Sequence, residues 1–135
     1  MDILGLAVIG ALCLAICWLS RPAIRRVDPA DIFVIDGDTI TIPGPQGTRE
    51  HIRISNIDAP ELRGIKSLWQ YKRAVAARDE LSYLIGNADV VEIRAEWTKD
   101  PFGRTLARVR VVMDTHRVDV GRHLVKNRLA RVWTR

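Results

Sequence analysis

The chain has 135 residues, 47% of them hydrophobic, which suits one domain around one core and leaves little room for a second. Its formal charge of +5 is unevenly placed: from Arg104 to Arg135 nine Lys and Arg stand against only Asp114 and Asp119, giving that segment +7 and leaving the rest net acidic by two. Such a basic segment suits a polyanionic partner, and the only two cysteines, Cys13 and Cys17, both precede the domain, which excludes a disulfide framework.

The first element is apolar. Ile3 to Leu19 reads ILGLAVIGALCLAICWL without a charge, about 25 Å as a helix, with Trp18 near its end. It is long for the apolar core of a signal peptide, only Met1 and Asp2 precede it, and "WLSRPAIRR" offers no convincing cleavage site. Residues 1–26 are therefore expected to be a membrane anchor or uncleaved signal segment with a basic flank, contacting the membrane through residues 3–19. Arg21, Arg25 and Arg26 would keep the domain cytoplasmic by the positive-inside rule, whereas cleavage would make it secreted or periplasmic, so the side is left open.

From Val27 onward the pattern alternates. "DIFVI", "TITI", "HIRIS", "VVEIRA" and "TLARVRVVM" place β-branched and aromatic residues in short runs between turn residues and predict five strands. Between the third and fourth, Ser67 caps a predicted helix, with Ala74, Ala77, Leu81 and Leu84 at three- and four-residue steps and Gly86 as a stop. A shorter helix is predicted after Asp119, turning Leu124 and Val125 inward. The fold class is mainly β with α: an OB-type five-stranded barrel with one or two helices over residues 27–135, preceded by one apolar helix.

Several charged residues fall at turns where chemistry could be built. Asp36 and Asp38 flank Gly37 and precede Thr39; Arg53 lies five residues before Asp58; Glu61 follows Pro60; Arg104 follows Gly103. Singly, each reads as a turn, a cap or an ordinary ion pair. Together they suit phosphodiester hydrolysis. Asp38 and Asp58 can ligate a hard cation, Glu61 can activate water, and Arg53 and Arg104 can clamp phosphate. His51, His116 and His123 are scattered, so no zinc cluster is indicated.

The order "DGDT", "IRISNIDAPE", "DPFGR", "VDVGRHLV" and "LARVW" resembles the staphylococcal nuclease, or thermonuclease-like, domain family over roughly Val27 to Arg135. The resemblance implies an OB-type barrel and a calcium-dependent endonuclease that hydrolyses DNA and RNA with little base specificity, leaving 3′-phosphate ends. It makes Asp38, Asp58 and the backbone carbonyl of Ala59 the Ca2+ ligands, Glu61 the general base, and Arg53 and Arg104 the phosphate-binding pair. Asp36 and Thr39 would support the metal ligand, with Gly37 giving the sharp turn that aims Asp38. Phe102 is either an aromatic that packs on the nucleotide or a core residue at the turn. Two positions depart from the family pattern: Ala59 stands in place of threonine, and Arg128 in place of glycine, so that Asn127 is expected to take the left-handed turn. Single-stranded nucleic acid is the expected substrate form, and no protein partner can be inferred. The alternative is a membrane-tethered, non-cutting OB-fold module that binds nucleic acid or another polyanion, for example in envelope polysaccharide production.

Overall fold

A computed structural model describes residues 3–19 and 22–134. Helix α1 (Ile3–Leu19) is uncharged, and its described side chains are exposed. With 17 residues it lies at the short end of the roughly 17–25 that spanning helices use. Among the described residues no helix is long and apolar enough to cross a membrane, so the expected anchor over residues 3–19 is not supported. The Trp18 side chain, Ser20 and Arg21, used in reading that leader, lie outside the described residues.

The sheet begins at Ile24, inside the expected basic flank. Strand β1 (Ile24–Val27) pairs antiparallel with β6 (Val90–Lys99). The expected strands follow as β2 (Phe33–Asp36), β3 (Thr39–Pro43), β4 (Arg49–Ile54), β6 and β7 (Thr105–Met113). Their spatial order is β1-β6-β7-β4-β3-β2, with β8 (His116–Asp119) on the far side of β7. All pairs are antiparallel except β4 with β7, whose parallel register sets Arg53 beside Leu106. This is an OB-type arrangement left open, with no pairing between its outer strands β1 and β2 among the described residues.

Isoleucine fills the centre. Ile40 and Ile42 of β3 meet Ile52 and Ile54 of β4, all buried, over Val91, Ile93, Val109 and Val111. Each such side chain contributes roughly 1.5–3 kcal/mol by leaving water. On β7 the inward set is Thr105, Ala107, Val109 and Val111; Leu106 is buried as well. Helix α2 (Leu68–Gly86) starts where the Ser67 hydroxyl accepts from Gln70 N at 3.2 Å and lays Ala74, Ala77, Leu81 and Leu84 on the sheet. Helix α3 (Val120–Lys126) is capped by Asp119, which accepts from Arg122 N at 3.0 Å, and Leu124 enters the core.

One backbone expectation holds for an added reason and another is corrected. The chain turns at Gly37 as expected, without a positive φ, and its need for glycine is spatial. A Cβ there would lie 2.6 Å from Ala77 Cβ on α2 and 3.0 Å from Ala59 Cβ, so the β2–β3 turn presses on both. At the end of α3 it is Arg128, not Asn127, that turns left-handed, with φ 59° against −87° for Asn127. Leu129 N reaches Leu124 O at 2.9 Å and Arg128 N reaches Val125 O at 3.0 Å, the paired bonds of a Schellman ending. That motif demands positive φ one residue past the cap, and this position falls on the arginine.

Three outcomes follow from the packing. Arg128→Gly should raise stability by about 1 kcal/mol, since the left-handed conformation disfavours a side chain; urea denaturation reads it, and unchanged stability would contradict it. Gly37→Ala should lower stability by roughly 1–3 kcal/mol through overpacking, measured in the same way. Burial pushes the Asp119 carboxyl up, but bonds from Arg108, Arg122 N and Asn56 together hold it below its usual range. A lowered folded pKa stabilises above the unfolded value and is lost as pH falls through the folded one. Asp119→Asn should therefore cost up to about 1 kcal/mol at neutral pH, the difference vanishing in acid below the normal carboxylate range.

Candidate functional site

Arg53 sits at the centre of the site. Its position on β4, opposite Thr39 of β3, points its guanidinium towards the β2–β3 turn and the segment after β4. Only 11% of the side chain is exposed. Nη1 donates to the carbonyls of Ile54 and Ile57, both at 2.7 Å, and Nη2 lies 3.3 Å from both Asp38 Oδ2 and Asp58 Oδ1. One guanidinium thus ties two carboxylates 20 residues apart to the two carbonyls that shape the chain between them.

Asp38 is 2% exposed and held on every side. Oδ2 accepts from Ala59 N at 2.8 Å, Oδ1 accepts from Thr39 Oγ1 at 2.9 Å, and the Asp38 carbonyl accepts from Ile54 N at 2.8 Å. Burial pushes its carboxyl above the usual range, opposed by the Ala59 amide, Arg53 and Thr39, while neighbouring Asp58 adds to the rise. Asp58 belongs to the two-residue strand β5 (Ile57–Asp58), which pairs with β9 (Arg131–Val132) in a separate small sheet. That pairing brings Arg131 Nη2 to 3.0 Å from Asp58 Oδ2.

Arg104 approaches from the other edge. Its Nε and backbone N bind the Asp100 carboxylate at 2.5 and 2.8 Å, which fixes the guanidinium. Nη1 then reaches Thr39 Oγ1 at 3.4 Å, so Thr39 links Arg104 to Asp38. Phe102 is 84% exposed, which removes the core alternative, and its ring centroid is 5.6 Å from the Arg104 guanidinium carbon. Glu61 is exposed and makes no hydrogen bond or ion pair among the described residues. Asp36 Oδ1 accepts from Leu62 N at 3.2 Å, anchoring the loop just past Glu61. Thr39, Glu61 and Arg104 line one cleft of about 870 Å3 together with Asp36 and Phe102.

Sequence reasoning missed two members of this neighbourhood. Arg131 and Trp133 arrive through β9, and the Trp133 ring lies 5.8 Å from the Arg53 guanidinium carbon. The "LARVW" run marked the segment but not its pairing partner, because a two-residue strand leaves no periodic signal.

The donor chemistry fits a hard divalent cation. Asp38, Asp58 and the Ala59 carbonyl offer only oxygen, and nitrogen or sulfur donors are missing from the set. Among the described residues no three His, Cys, Asp or Glu side chains group to hold a metal unaided. Further ligands would have to be solvent, backbone or substrate oxygens, which calcium readily accepts.

The family described as staphylococcal nuclease homologue matches residues 51–135, more than half of the chain. The matched stretch carries Arg53, Asp58, Ala59, Glu61, Phe102 and Arg104, whereas Asp36, Asp38 and Thr39 precede it. No curated protein matches the chain. With an OB-type sheet and a match of this extent, the chain belongs to the staphylococcal nuclease homologue family.

Proposed function

We propose that this chain is a calcium-dependent endonuclease that hydrolyses single-stranded DNA and RNA with little base preference. The observation that carries the reading is the Asp38–Arg53–Asp58 unit, with Arg104 joined to it through Thr39. Asp38, Asp58 and the Ala59 carbonyl would hold Ca2+, which supplies Lewis-acid polarisation of a phosphate oxygen. Glu61, beside the cleft and without a hydrogen bond or ion pair among the described residues, takes the proton of a water that attacks phosphorus. Arg104, and Arg53 from within, meet the negative charge that builds on the equatorial oxygens. The bond to the 5′ oxygen breaks, that oxygen takes a proton from solvent and leaves as a hydroxyl, Glu61 returns its proton to solvent, and a 3′-phosphate end remains. Phe102 offers a π-face that any base can use, which favours unpaired strands over duplex.

A second reading is a module that binds polyanions without cutting. It is favoured by a separate cleft of about 490 Å3 on β7, β8 and α3, where Arg108, Arg110, Arg117, Arg122 and Lys126 gather. Asp119 and Glu92 pair with Arg108 and Arg117, leaving Arg110, Arg122 and Lys126 to attract phosphate.

One assay separates the two. The full chain is incubated with single-stranded DNA and with RNA, in calcium or in chelator, beside Glu61→Gln. The nuclease reading expects calcium-dependent 3′-phosphate products and a rate about 100- to 10,000-fold lower in the variant. Nucleic acid bound yet intact in calcium would leave only the second reading.

A further inference from the structure

Glu61 and Arg63 border two clefts. One is the cleft over Thr39, Phe102 and Arg104. The other, about 400 Å3, lies between the Asp58–Glu61 segment, the first turns of α2 and β9. A phosphodiester carries a nucleoside on each side of its phosphorus, and the proposed mechanism employs an aromatic on one side only.

The second cleft has the make-up of a nucleotide site. Ala59, Pro60, Ile65 and Ala130 give it an apolar floor, and Trp69 forms a wall. The indole is 65% exposed, with the Arg73 guanidinium carbon 4.8 Å from its centroid. Arg63 and Arg73 also line the cleft, and neither has a carboxylate partner among the described residues. A lone exposed tryptophan needs no special cause. This one lies in a cleft continuous with Asp58 and Glu61, beside two uncompensated guanidinium groups, which matches a flat base joined to a phosphate.

We infer that the Trp69 cleft is the subsite for the nucleotide on the second side of the scissile phosphate, Trp69 stacking on its base and Arg63 and Arg73 holding the adjoining phosphate. The inference rests on the nuclease reading. Stacking on an indole is available to every base but only to one outside a duplex, so this subsite selects strand form and not sequence.

Equilibrium binding tests it without relying on cleavage. The full chain carrying Glu61→Gln is titrated in calcium with a labelled oligothymidylate and with a deoxyribose-phosphate oligomer of equal length that has no bases. Adding Trp69→Ala should weaken the first complex about tenfold, leave the second unchanged, and be largely reversed by Trp69→Phe. Alanine is a good helix former and the site is exposed, so the fold should persist. Equal losses on both oligomers, or no loss on either, would overturn the subsite. If the unaltered chain still cuts single strands, the nuclease reading outlives that failure. A chain that neither binds nor cuts overturns both.

Discussion

Arg53 is the constraint on which the rest of the site depends. A guanidinium that is 11% exposed is costly unless its donors are matched, and here two carbonyls and two carboxylates meet them. The bonds to Ile54 O and Ile57 O fold the chain back immediately after β4. That reversal delivers Asp58 next to Asp38, starts the β5–β9 pairing and directs Glu61 to the rim. Removing Arg53 would leave Asp38 buried without its nearest positive charge. The same residue therefore serves local geometry and site electrostatics.

Around this centre the fold supplies rigidity on two sides. The β2–β3 turn presses Gly37 against α2, so Asp38 is placed by packing as well as by its bonds to Thr39 and Ala59. Asp100 immobilises Arg104 before any substrate arrives. Among the described residues Glu61 makes no hydrogen bond or ion pair, which would suit the proton transfer proposed for it. Cations then extend outward in two directions, along the Arg63–Arg73 side and over β7, β8 and α3. A strand of nucleic acid would meet positive charge well beyond the two carboxylates.

What the sequence revealed was what local chemistry specifies. "TLARVRVVM" became β7 from Thr105 to Met113, and Ser67 and Asp119 cap the helices they were expected to cap, because alternation and capping are encoded within a few residues. The candidate residues Asp38, Arg53, Asp58, Thr39 and Arg104 were nameable from their motifs, and the structure brings them into one bonded group. What was not legible depends on distant partners. Gly37 answers to Ala77 forty residues away, β9 exists only because β5 pairs with it, and Arg128 takes the left-handed position that the Schellman bonds fix. The apolar run at Ile3–Leu19 was identified as a helix correctly, yet its 17 residues do not support a crossing.

The central claim is that Asp38 and Asp58, set by Arg53, form one calcium site. Titration calorimetry of the full chain with Ca2+, beside Asp38→Asn with its fold checked by circular dichroism, tests this most directly. The account predicts one ion per chain and loss of that binding in the variant. Equal calcium binding by both proteins, or none by the unaltered chain even with nucleic acid present, would contradict it.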